Sequence, residues 1–493
     1  MNHLDDTRPT VQLPGNNRLL SDFSAELGKG ISKANVFKRG MLTVTLNEQC
    51  DGLAVMSPEK MRTWIEQHAV CCKTHRVTDD ETVVSYRRTM SRADAEGVLA
   101  SPQFLEQLRP IERVNSVRLP VLREDGYIKL LPEGYDAESR TLTLASSVVV
   151  VDNLPLPQAR QILDKLLGEF RFSDNGRSKA VAISAMLSLF AASLLPKNSL
   201  RPCFIYLANA EGAGKTLLVK FATVPVLGSV PASCKPRDEE EMRKTLLTAI
   251  IEAKPVLFFD NIKGRLASEA LEAFITTQEW SGRVLGVSKT FAGRNLVTVF
   301  VTGNGCTVSP DMRRRSLFCE LFIEAERPED REFKQRLEVP EILERRSEIL
   351  SALLSLVRHW DSAMRPKPSH CNSSFPEWSD IIGGIVEHAG YGCPLEAANI
   401  QEAADVDGAD MRTLVDTLGD GANVTFGEIV KIARQHDLFG EYFLGDHEQL
   451  DHTNKARLAS LLRRYGGRLI GGARFSLEGT GRKRRYKVEK AIP

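Results

Sequence analysis

The sequence predicts an α/β protein. A three-layer core is built on a mostly parallel sheet, an α+β module precedes it, and a basic winged helix follows it. Three observations predict this. Between Arg201 and Glu324, near-continuous apolar runs alternate with helical periodicity, the pattern of a parallel sheet covered on both faces. The segment 203–221, CFIYLANAEGAGKTLLVKF, is an apolar strand, a small glycine-containing loop and an apolar helix, in that order. Basic residues gather at the end: 455–490 hold twelve Lys or Arg against two acids, a net +10, which leaves −9 on the rest of a chain totalling +1.

Composition bounds the answer. The 493 residues are 42% hydrophobic and 26% charged, ordinary globular usage that excludes a mostly disordered or fibrous chain. At about 150 residues per domain the length suits about three domains. Nine cysteines without a regular framework fit a reducing, cytoplasmic setting better than a disulfide scaffold. The first residues lack the apolar segment of a signal peptide. The longest apolar run, 181–195, is shorter than a membrane span and broken by serines. It reads as a buried helix, and no membrane partner is expected.

Taken in order, residues 1–155 read as the α+β accessory module. Its first 30 or so are expected to be loosely ordered, being polar with Pro9, Pro14 and Gly15. Strands are expected at 41–46 and 82–86 from their β-branched content, and a helix at 57–68, opened by Ser57 with Pro58 in its first turn. Residues 117–135 carry Pro120, Gly126, Pro132 and Gly134 and read as turns or a hairpin. A helical connector is expected over 156–200, with periodicity running from Pro157 to Leu195. The core follows at 201–335, with strands at 203–208, 256–260, 296–302 and 317–323. Residues 336–395 read as helical, broken near Pro366, Pro368 and Pro376, and 396–493 as helical and then basic. In the tail the order is helix 454–465, strand 468–476, a turn with Gly479 and Gly481, and strand 485–488. That is the order of a winged helix. Arg457, Arg463 and Arg464 on its helix and Arg482, Lys483, Arg484 and Arg485 on its wing would meet a polyanion without reading sequence.

The glycine loop predicts a phosphate site. Asn209, Glu211, Gly212, Ala213 and Gly214 form the loop, and Lys215, Thr216 and Leu217 open the helix. Small residues let backbone N–H groups close on phosphate oxygens, and the helix N-terminus adds partial positive charge. Lys215 would reach the β- and γ-phosphates and the Thr216 hydroxyl would bind Mg²⁺, which makes ATP with Mg²⁺ the expected ligand. Asn209 stands where the pattern has its first glycine; Asn tolerates left-handed backbone better than most residues. Two further strands end in polar groups. The run PVLFFD ends in Asp260, 45 residues after Lys215, and LVTVFVTGN ends in Asn304, 44 residues on. Asp260 would hold Mg²⁺ through its water shell, and Asn304 would orient water beside the γ-phosphate. The residue after Asp260 is Asn261 rather than a second acid, so the catalytic base stays open between Glu211, Glu272 and neither. Arg313, Arg314 and Arg315 precede the last strand. They read as an arginine finger for a neighbouring subunit, Arg314 and Arg315 foremost, or as an ion-pair cluster with Glu320 and Glu324.

On these residues the chain resembles AAA+ ATPases of the superfamily III-like, phage and mobile-element primase-helicase group. The resemblance is strongest over 200–335, in DNIKGRLASEALEAFITTQEWSGRVLGVSKT and TGNGCTVSPDMRRRSLFCELF, and weaker in VLREDGYIKLLPEGYD (121–136) and FPEWSDIIGGIVEHAG (375–390). It implies a P-loop AAA+ three-layer core and a ring, hexameric in that group, that hydrolyses ATP at subunit interfaces and moves along DNA alongside other replication proteins. Arg283, Leu285 and Val287 alternate around glycines, so 281–294 reads as a β-hairpin; it is either a surface hairpin with solvated charges or, as the resemblance implies, one pointing into the pore. Lys289 would then meet the DNA backbone, and Phe291 would stack on a base. Two other classes stay open: a nucleotide-switched DNA-binding or assembly factor with little turnover, and an AAA+ ATPase acting on protein in signalling or defence. His68, Cys71, Cys72 and His75 have metal-like spacing at the end of a helix but lack a second ligand pair at zinc-finger distance. They read as packing residues, and no primer-synthesis cluster is assigned.

Overall fold

The computed structural model describes residues 8–15, 18–32, 34–76, 83–174, 176–208, 212–284, 290–322, 338–396, 406–440, 443, 452–479 and 484–490. The chain forms two units. One comprises Met1–Lys263, Ala267–Gly305 and Arg314–Glu396, the other Gly264–Leu266, Cys306–Arg313 and Ala397–Pro493.

Two segments among the first 31 residues take regular structure where composition suggests a loose chain. Strand Thr10–Gln12 pairs in parallel with strand Val70–Arg76, and helix Leu20–Ile31 buries Phe23, Leu27 and Ile31 at helical spacing. Burial of that face orders residues whose polar neighbours had suggested a loose segment. The helix at Pro58–His68 begins as expected, with Ser57 Oγ accepting the Lys60 N–H over 3.2 Å. Cys71 and Cys72 do not sit at its end; they lie on the following strand, both buried.

The continuous periodicity from Pro157 to Leu195 is divided. Helix Leu156–Leu167 stops at Gly168, and α1 (Arg177–Phe190) starts after Gly176, whose φ is +109°. The serines within α1 are absorbed locally: Ser184 Oγ donates to Val181 O and Ser188 Oγ to Ser184 O. Among the described residues no helix is long and apolar enough to cross a membrane.

The core sheet contains β1 (Cys203–Ala208), β2 (Val256–Leu266), β5 (Thr298–Val308) and β6 (Ser316–Leu321) in the order β2-β5-β1-β6. β1 runs parallel to both neighbours, with Ala208 opposite Asn304 on one side and Leu321 on the other. Ser233 adds a parallel bridge to Phe258, which extends the sheet beyond β2. Three helices follow the strands: α2 (Lys215–Leu227), α3 (Glu239–Ile251) and α4 (Glu269–Ile275). α2 stops at Gly228, where φ is +81°. α3 starts where the Asp238 side chain accepts the Glu241 N–H, with three glutamates in its first turn complementing the helix dipole.

Strands β3 (Glu279–Arg283) and β4 (Thr290–Arg294) form the antiparallel hairpin expected over 281–294. Its tip, with Lys289, lies outside the described residues. Phe291 corrects the reading that placed it on a base. It is 3% exposed, and a Cβ built on Gly40 would meet its ring at 3.4 Å; a ring packed inside the protein is not offered to a ligand.

The second unit holds α5 (Val406–Leu418), β7 (Asn423–Thr425), α6 (Phe426–Gln435), α7 (His452–Tyr465), β8 (Arg468–Ile470), β9 (Ala473–Glu478) and β10 (Arg485–Lys490). The sheet order is β7-β10-β9-β8. Thr425 and Glu428 cap α6 reciprocally. Leu414, Leu458, Leu461, Leu462, Phe475 and Tyr486 join the helices to the sheet in one apolar core.

Candidate functional site at the carboxyl edge of the core sheet

The site begins where β1 gives way to α2. Gly212 and Gly214 both take left-handed backbone, with φ of +74° and +95°, a conformation that glycine adopts at least cost. Gly214 has a second reason to lack a side chain: a Cβ there would lie 2.8 Å from the Phe170 ring. Ala213 is buried behind the turn. Lys215 is the first residue of α2 and only 8% exposed. Thr216 and Leu217 follow on the same first turn. Asn209 and Glu211 lie outside the described residues.

The other strands bring polar groups to this edge. Thr216 Oγ1 donates to Asp260 Oδ1 over 3.0 Å, although the two are 44 residues apart. The same carboxylate oxygen accepts from Thr302 Oγ1 over 2.6 Å. Thr302 also accepts the Asn261 N–H over 2.8 Å. Asn304, two residues on, stands opposite Ala208, the last residue of β1. Lys215, Thr216, Asp260 and the backbone of Asn304 therefore share one edge of the sheet.

Asn261 acquires a structural reason. Its φ is +56°, and this turn aims its N–H at Thr302. Asn enters left-handed backbone more easily than a long acid such as Glu, so this backbone disfavours a glutamate at this position. The Glu272 backbone lies within reach of Arg315. Its carbonyl accepts from Arg315 Nη1 over 2.8 Å, and the Arg315 carbonyl accepts the N–H of Cys203, the first residue of β1. The backbone of Arg315 therefore stands at the opposite edge from Lys215. Arg314 is exposed there, and its carbonyl accepts from Asn372 Nδ2 over 3.3 Å.

A carboxylate that the sequence reading assigned only to an ion-pair cluster lies near the site. Glu320 on β6 faces Leu207 in register, one residue before the strand ends. It is 8% exposed, and burial pushes its carboxyl up to about 7 against the opposing pull of Arg177. Thr302 was missed altogether. Its only signal is a hydroxyl two residues before Asn304, at the end of the apolar run 299–301.

In the second unit Arg457, Arg463 and Arg464 are on α7 and Arg485 begins β10, preceded by Arg484. Arg485 Nη1 donates to Asn423 O and Arg463 Nε to Ala459 O. Arg482 and Lys483 lie outside the described residues.

Chemically, the first edge offers two left-handed glycines before a helix, an ammonium, a hydroxyl and a carboxylate. Oxygen donors of this kind suit a hard divalent cation, and turned N–H groups before a helix suit phosphate. The residues present fit a Mg²⁺–triphosphate.

Compared with protein-family models and with curated proteins, the chain finds no match. Among solved structures it is similar to the A-form apo structure of the NrS-1 C-terminal region, with a TM-score of 0.35 and 11% identity over 88% of this chain and all of that one. A second such structure, of its residues 305–718, gives 0.32 and 10% over 76% and 83% of the two chains. A third, SCCmec type IV Cch, described as an active helicase, gives 0.30 and 9% over 93% and 97%.

Proposed function

We propose that this chain is an ATP-dependent DNA helicase or translocase, a P-loop motor that works as a ring of identical subunits in the replication of a phage, plasmid or integrated element. The observation that carries the reading is the contact between Thr216 and Asp260 at the mouth of the glycine loop. It brings a hydroxyl and a carboxylate together, and such a pair would hold a magnesium ion. Lys215 would neutralise the β- and γ-phosphates, and Asn304 would orient the attacking water. Mg²⁺ would supply charge neutralisation of the phosphates.

The arginines favour a ring. Arg315 abuts the start of β1, while Lys215 lies beyond its end. Six residues of strand separate the two edges, about 20 Å at strand rise. This separation supports a role for Arg314 or Arg315 at a neighbour's γ-phosphate rather than at its own loop. The second unit, with its order of helices, strands and basic residues, is read as a winged helix that holds DNA phosphates. A second reading, a nucleotide-driven switch with little turnover, is favoured by the left-handed Asn261 in place of an acid.

The test is phosphate release with and without single-stranded DNA. The motor reading expects DNA to accelerate turnover in the wild type and Lys215→Ala to abolish it. ATP binding with turnover indifferent to DNA would favour the switch.

A further inference from the structure

A second cationic site lies at the opposite edge of the sheet, where the N-terminal module meets the core. Four guanidiniums, of Arg39, Arg113, Arg140 and Arg294, gather there around the Glu112 carboxylate, and a fifth, of Arg201, lies beside Arg113. Glu112 Oε1 receives Arg294 Nη2 at 2.8 Å and Arg140 Nη1 at 3.3 Å. Arg39, 7% exposed, is spent on carbonyls: it donates twice to Ile250 O and once each to Ile111 O and Glu112 O. Among the described residues the Arg113 guanidinium has one hydrogen-bond acceptor, Ser193 Oγ at 2.7 Å. Arg201, 6% exposed, reaches two carbonyls only at 3.4 and 3.5 Å, and its Nε is buried without a partner. Burial pushes Arg201 down to about 9, with the like charge of Arg113 adding to the shift. Arg113 is itself pushed down to about 10 by burial.

Arg39, Arg113 and Arg201 are withdrawn from water; like charges so placed are costly unless an opposite charge joins them, and the single Glu112 carboxylate is already shared with Arg140 and Arg294. There is room for another anion. Arg113, Arg294 and Glu112 line both an inner cavity of about 50 Å³ and a wider one of about 280 Å³ that opens past Arg140 and Lys197. Arg123, at the same mouth, is already taken by Asp136 and Glu138.

We propose that Arg113 and Arg294 form a binding site for an oxyanion of phosphate chemistry, distinct from the glycine loop. A guanidinium fork matches a phosphate face with paired N–H donors. The two cavities suit one phosphate group inside and its remaining bulk, if any, in the outer chamber. The source is either free phosphate or a nucleic-acid backbone.

The test is thermal unfolding of the full chain carrying Lys215→Ala, which removes the glycine-loop lysine from the comparison. Inorganic phosphate or pyrophosphate is titrated against chloride at equal ionic strength. The site predicts a saturable rise in Tm that Arg113→Met abolishes. Should Arg113→Met fail to fold by circular dichroism, Arg140→Gln at the open rim should raise the half-saturating concentration about fivefold. A single-stranded oligonucleotide that competes with phosphate identifies a backbone phosphate as the source, and absence of competition identifies free phosphate. A Tm that does not respond in Lys215→Ala overturns the site, as does a response unchanged by both Arg113→Met and Arg140→Gln.

Discussion

Thr302 Oγ1 donates to Asp260 Oδ1 over 2.6 Å while accepting the Asn261 N–H over 2.8 Å. One hydroxyl thus orients the carboxylate and fixes the left-handed residue after it. Thr302→Val should strand the Asn261 N–H and lower stability by about 1–3 kcal/mol. It should also raise the Mg²⁺ needed for half-maximal ATP turnover, whereas Thr302→Ser should restore most of both. Thermal unfolding and a Mg²⁺ titration read the two effects. A valine variant with normal Mg²⁺ dependence would reduce Thr302 to a packing residue.

Glu320 gives the protein a specific pH slope. Its carboxyl is pushed up from 4.5 to about 7, chiefly by burial. Between those values the folded chain keeps a proton that the unfolded chain has lost. This contribution to stability is therefore complete below the ordinary carboxyl range and is lost as pH climbs through about 7. Glu320→Gln should flatten that part of the profile and stabilise the protein at alkaline pH by about 1–2 kcal/mol, allowing for solvent at the sheet edge. Denaturant unfolding at mildly acidic and mildly alkaline pH checks it; parallel profiles for the two proteins would contradict it.

How far the sequence reaches depends on what writes each feature. β1 was legible to the residue because its apolar run is bounded sharply by proline and by the loop. β2 and β5 run on to Leu266 and Val308, past Asp260 and Thr302, where apolar content drops. There backbone pairing continues without side-chain patterning, as when the Ser309 N–H donates to Leu266 O. Helix Leu20–Ile31 was hidden by glycines and serines, although Phe23, Leu27 and Ile31 carried its period. The approach of Thr216 to Asp260 was legible as a motif. The arginine group around Glu112 was not, because Arg39 finds its carbonyl acceptors 72, 73 and 211 residues away. No local pattern encodes such a contact.

The opposite-edge placement of the arginines predicts complementation. Lys215→Ala and Arg314→Ala should each lose ATP turnover alone. Mixed, they should recover part of it, because some interfaces then carry an intact Lys215 on one side and an intact Arg314 on the other. Turnover of mixed assemblies, verified by differential tagging, is the measurement. No recovery in verified mixtures would contradict a finger acting between subunits.

The basic tail predicts a salt signature. Replacing Arg457, Arg463 and Arg485 by alanine should weaken binding to unrelated DNA sequences alike. It should also lower the slope of log affinity against log salt by about 2–3. Fluorescence anisotropy across a salt series reads both, and an unchanged slope would remove these residues from the DNA-binding surface.

The proposed motor requires that a triphosphate with Mg²⁺ bind between the first turn of α2 and the carboxylate of β2. Equilibrium binding of a fluorescent, non-hydrolysable ATP analogue to the full chain tests it most directly. Wild type should bind in a Mg²⁺-dependent way, Lys215→Ala should lose most of the affinity, and Asp260→Asn should lose the Mg²⁺ dependence. Folded Lys215→Ala and Asp260→Asn proteins that bind as the wild type does, with and without Mg²⁺, would contradict the account.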